Sequence, residues 1–204
     1  MKDVHEKEER TAELASLESA AALYARLAKL GLDDPAVRRD TVDLARTMLD
    51  RQLLEAHYRL VTAPANRVKE EADRFVRLWE LFADLLDRHE DYSLNDSLAR
   101  LRRLAPVANP DFPQVLIENC ANHYCRSHQA ELVRHWFLPF AREVARHCRA
   151  SAADGTPVDG KALQELCEKM RLELLKTPLE SIAFRGSRTA EALRGTLRAC
   201  HAAR

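Results

Sequence analysis

The residues best suited to chemistry crowd into one stretch, IENCANHYCRSHQAELVRHWFLPFAREVARHC at 117–148. It holds Cys120, Cys125 and Cys148 together with His123, His128, His135 and His147. Metal binding is the first chemistry such types suggest. Cys125 and His128 are three residues apart and His128 and His135 seven, so on a helix each pair shares a face. Zinc, however, needs four ligands converging tetrahedrally, usually from knuckles of C-x₂₋₄-C spacing. Along one helix the 120–135 ligands would spread over about 22 Å at 1.5 Å per residue. A second helix would have to complete the set, so the residues read as buried thiols and hydrogen-bonded histidines. We expect no metal and no cofactor.

Nucleophilic catalysis is the second. A His⁺ one turn from Cys125 would lower the thiol pKa, as in a Cys125–His128 pair. The chain offers no recognisable third orienting group or oxyanion hole beside it. Carboxylates such as Glu70-Glu71 and Glu90-Asp91 read as solvated faces, with no pair set about 5 Å apart for glycoside cleavage. The GTP at 155–157 lacks phosphate-loop spacing. We therefore expect no catalytic residue. What remains is ligand binding: Arg126 and His128 hydrogen-bonding a polar molecule while Tyr124 and Trp136 stack on its apolar face. The competing reading is packing, because 124, 128, 132 and 135 form a stripe that neighbouring helices would cover.

Helices must position these residues. Leu14, Leu17, Ala21, Tyr24, Leu27 and Ala28 recur at helical spacing, and Gly31 is placed to end that helix as a C′ glycine. Asp34-Pro35 is an N-cap followed by proline at N1, opening a helix to about 61 that Pro64 closes. Asn66 is the expected cap of a third helix to about 88, with Phe75, Leu78, Trp79, Phe82 and Leu85 inward. Ser93 and Asp96 resemble a capping box opening a short helix over 94–104. After the proline-rich APVANPDFP, one long helix is expected from about 113 to 149, kinked near 135–139 by Pro139. The loop SAADGTPVDG precedes a helix over 160–175, and Ser187 is the expected cap of a last one to about 201. No strand pattern occurs. The expectation is all-α: a charged lead at 1–10, then one domain over 11–204 of six or seven antiparallel helices.

Composition agrees. Charged residues are 31% and hydrophobic ones 46%, with only 5 glycines, which suits helix interiors and starves hairpin turns. Net charge is zero, though acidic residues lead by four in 1–102 and basic ones by four in 103–204. The basic end carries Arg185, Arg188, Arg194, Arg198 and Arg204 without interleaved aromatics, so nucleic acid is not expected as a partner. No apolar run approaches the roughly 18 residues of a membrane span. The charged start MKDVHEKEER has no apolar signal region, and a cytoplasmic location is expected if Met1 is the start.

Three segments, in order, resemble the all-helical C-terminal domain of the α-N-acetylglucosaminidases, glycoside hydrolase family 89. They are TVDLARTMLDRQLLEAHYRLV at 41–61, EEADRFVRLWELFADLLDRHEDYSLNDSLARLRRLA at 70–105 and YCRSHQAELVRHWFLPFAREV at 124–144. In the last, LVRHWFLP matches the family's Leu-Val-x-x-aromatic-aromatic-Leu-Pro helix. The chain departs from the family after Tyr124, where Arg126, His128 and Gln129 replace small and amide residues and a tryptophan is missing. Ser97 also stands where a tryptophan is usual, and the tract with Leu-Trp-Gly-Pro is absent. The resemblance implies an accessory domain that packs on a (β/α)₈ catalytic barrel and helps wall a sugar pocket. Catalytic carboxylates belong to that barrel, so it implies none here. The alternative is a stand-alone helical module binding a partner or small ligand.

Overall fold

The computed structural model describes residues 22–104, 115, 117–119 and 129–203. All regular structure among them is helical. A helical run at 22–27 leads to α1 (Pro35–Thr62), α2 (Val68–Leu86) and a 3₁₀ turn at Glu90–Tyr92. Then come α3 (Leu94–Leu104) and α4, which runs unbroken through Ala130–Leu132, Val133–Phe137 and Leu138–Asp154. α5 (Gly160–Leu175), a 3₁₀ turn at Leu179–Ile182 and α6 (Ala190–Ala202) complete the order. The all-α expectation holds.

α1 starts as its sequence dictates. Asp34 Oδ1 accepts from the Ala36 and Val37 amides at 2.8 and 3.2 Å, and Pro35 occupies the first turn. Its buried stripe of Val42, Ala45, Leu49, Leu53, Ala56 and Leu60 lies on α2. α2 in turn buries Ala72, Phe75, Leu78, Leu81, Phe82, Leu85 and Leu86. α4 runs antiparallel to α2, and three ionic rungs fix the register: Arg134 to Asp84 and Asp87, Arg142 to Glu80, and Arg149 to Asp73. The Arg142 and Arg149 rungs are exposed and contribute little energy, but a one-turn slip would bring Arg149 opposite Lys69 or Arg77. α6 closes the main core with Leu193, Leu197 and Cys200. A second, smaller core gathers Leu94, Leu98, Ile117, Leu132, Trp136, Leu174 and Leu179.

Several local expectations are corrected. The long helix does not run from 113 to 149: Gln129 is extended (φ −104°, ψ 143°), the helix begins at Ala130, and it continues to Asp154. Pro139 produces a π-helical turn at Val133–Phe137. There the Leu138 N–H reaches back five residues to the Val133 carbonyl. The turn widens just where the pyrrolidine ring would crowd the carbonyl four residues earlier, and it leaves Pro139 in the first turn of the α-helix that follows. The left-handed C′ glycine is Gly155 (φ 64°), not Gly31. Finally, Thr189 rather than Ser187 caps α6, and α2 follows Arg67 without a side-chain cap.

Candidate functional site

Two constellations stand out, one polar and one apolar. The polar one surrounds the start of α4. Glu131 is 2% exposed, yet faces the open N-terminus of α3. Its carboxylate accepts from the Ser93 hydroxyl (2.8 Å), the Leu94 amide (2.8 Å), and the Asn95 amide (3.1 Å) and carboxamide (3.0 Å). Ser93 Oγ still accepts from the Asp96 amide at 3.1 Å, as a capping box requires. Asp96 does not return the bond; it pairs with Arg188 at 2.7 Å. The Ser93 amide donates to the Glu90 carbonyl instead. The carboxylate at this helix start comes from another helix and takes the next two amides, so charge and dipole agree in sign.

One turn along α4, the Arg134 guanidinium donates to Asp84 (3.0 Å) and to Asp87, whose side chain is 2% exposed. Burial pushes the Asp87 carboxyl above its ordinary range, and Arg134 pulls it back. His135 is exposed on one flank; desolvation of the other, then Arg134, holds its imidazole below the ordinary value. Arg188 donates to the Asp87 carbonyl at 3.2 Å, tying the 179–188 segment to the same seam. Its bonds are internal, which is the arrangement of a structural joint.

Of the residues singled out as ligand-facing, Tyr124, Arg126 and His128 lie outside the described residues, as do Cys120 and Cys125. Trp136 is described, and it is 4% exposed within the second core, the place of a packing residue. It stacks on Phe137 with centroids 4.3 Å apart, and Phe137 stacks on Trp79 at 5.7 Å. Trp79 meets Phe75 edge-on at 6.4 Å, and Phe75 meets His57 at 5.7 Å. Aromatic rings thus run from the second core to the far end of α1. No group of three or more His, Cys, Asp and Glu set to hold a metal occurs among the described residues.

The apolar constellation begins where that file of rings ends. A groove of about 780 Å³ lies between the C-terminal end of α1, the start of α2, the middle of α4 and the start of α5. Leu60, Val61, Val68, Phe140, Val144 and Leu163 form its apolar surface. Gly155, turning left-handed at the end of α4, lets the 155–160 loop form one edge. Two thiols line the groove, Cys148 and Cys167, and burial pushes both above the ordinary thiol range. Cys200 sits apart in the main core, pushed by burial up to about 12. Sequence reasoning missed the groove, since its walls come from four elements remote in the chain. Phe140 and Val144, one turn apart just after Pro139, were the visible trace.

The chain matches no family profile, no curated protein and no solved structure.

Proposed function

We propose that the chain serves as an accessory helical domain of the kind found at the C-terminus of α-N-acetylglucosaminidases. It would pack as a rigid body on a (β/α)₈ catalytic partner and help wall that partner's carbohydrate site. One observation carries this reading: the resembling segments 41–61, 70–105 and 124–144 supply α1, α2 with α3, and the first part of α4. α1, α2 and α4 share the main core, and α3 packs with the start of α4 in the second core. The test is reconstitution. A family 89 barrel expressed without its own helical domain is mixed with this chain, and mass is followed by light scattering during gel filtration. A one-to-one complex with raised hydrolysis of an aryl α-N-acetylglucosaminide is expected. Two separate peaks and unchanged turnover would sink the proposal.

A second reading, a self-contained ligand-binding module, is favoured by the groove beside Phe140 and Cys148. Its volume suits a small molecule and its walls are side chains of the main core. Equilibrium dialysis of the chain alone against labelled candidate ligands separates it from the first reading.

A further inference from the structure

The groove's lining departs from the rest of the chain in charge. Residues Asp, Glu, Lys and Arg make up 31% of the sequence, yet among the described residues none of them lines it. The ionisable side chains that do are His57 and the thiols of Cys148 and Cys167. Its hydrogen-bonding groups are few: His57, Ser151, Thr156 and Gln164 among the side chains. Ser151 already spends its hydroxyl on the Thr156 carbonyl. A charged solute seated there would shed water and meet no counter-ion, at a cost of several kcal/mol by general estimate. An uncharged solute meets apolar side chains on four helices and a neutral carboxamide. The volume, about 780 Å³, lies within the roughly 300–1,000 Å³ of small-molecule sites.

We propose that this groove binds an uncharged, largely apolar small molecule carrying at most a neutral hydrogen-bonding group. The bound face of that molecule lies against Phe140, Val144 and Leu163, and its polar end lies towards Gln164 or Thr156. This inference rests on the second reading above and adds the class of ligand.

Nile red, a neutral dye, is the direct probe, and two rim variants locate its site. Val61 (56% exposed) and Val158 (39% exposed) stand on different walls, so Val61→Glu and Val158→Glu, made separately, place a carboxylate at the rim without disturbing the core. Wild type should raise the dye's emission, and each variant should weaken binding about tenfold with an unchanged melting curve. Three naphthalene competitors then test the class: 2-naphthol, 2-naphthalenesulfonate and 2-naphthylmethylammonium. The naphthol should displace the dye at about a tenth of the concentration of either ion. Saturating naphthol should also slow alkylation of Cys167 by N-ethylmaleimide, read peptide by peptide. No dye response, or a response indifferent to both rim variants, overturns the binding reading itself. Displacement by either ion as readily as by the naphthol leaves binding intact and overturns the uncharged class.

Discussion

At the scale of single residues, Glu131 and Arg134 carry the most consequence. Both occupy the first turns of α4, and both bond groups on other elements. Replacing Glu131 with Ala strands the Ser93 hydroxyl and the Leu94 and Asn95 amides in a buried place. The expected loss is about 3 kcal/mol by urea denaturation, with Glu131→Gln recovering part of it. Arg134→Met leaves Asp87 buried without its cation, and pH then becomes the diagnostic. Burial holds the Asp87 carboxyl above its ordinary range, so the folded chain binds that proton more readily than the unfolded one. Stability from such a group is present below the unfolded pKa and is lost as pH rises through the folded one. Removing Arg134 raises the folded pKa further. Urea midpoints should therefore show the variant's deficit largest near pH 7 and shrinking towards about pH 5. A deficit equal at both pH values would show that Asp87 is not the group left uncompensated.

Among the elements, α4 teaches the most. Pro139 announced a disturbance, and the form it took, a π turn, follows from one extra residue in the ring of hydrogen bonds. Because the turn already absorbs the proline, Pro139→Ala should change stability by less than about 1 kcal/mol. A proline straining an ordinary helix interior would instead give back about 3. Calorimetric melting decides between them. The helices were legible because caps and stripes are local: Asp34-Pro35 and Ser93 act within four residues of themselves. The break at Gln129 was not legible. Nothing in CRSHQAEL is a turn signal, and the helix starts where it does because Glu131 must meet α3. The candidate site was legible only as composition. Trp136 looked suited to stacking on a ligand, and the π turn and Phe137 instead stack it inward. A periodicity argument cannot distinguish the two, because both need an aromatic on the same face.

For the whole molecule, the decisive contacts are those between the 179–202 region and the first half. Arg88 donates to the Ser187 carbonyl at 2.6 Å and to Thr196 Oγ1 at 3.0 Å, and Arg38 donates to the Arg188 carbonyl at 3.1 Å. The Arg88 and Arg188 guanidiniums each lie 5.8 Å from the Phe184 ring, gripping it from two residues far apart in the chain. Gly186 makes that grip feasible, since a methyl there would overlap the Phe184 ring. Gly186→Ala should cost about 1–2 kcal/mol and raise amide exchange in α6 more than in α1 or α2. Uniform exchange throughout would place the cost elsewhere.

This fastening also bears on how the chain comes to be made. Leu193 and Leu197 fill the same core as Tyr24 and Leu27, across more than a hundred and sixty residues of sequence. On the ribosome, α1 and α2 emerge early, with an apolar face that waits for α6 to be synthesised. At about 5–20 residues per second that wait lasts on the order of ten seconds. Through it the nascent protein carries a sticky, half-covered surface, exposed to chaperones or to neighbouring chains, until its late-made helix arrives.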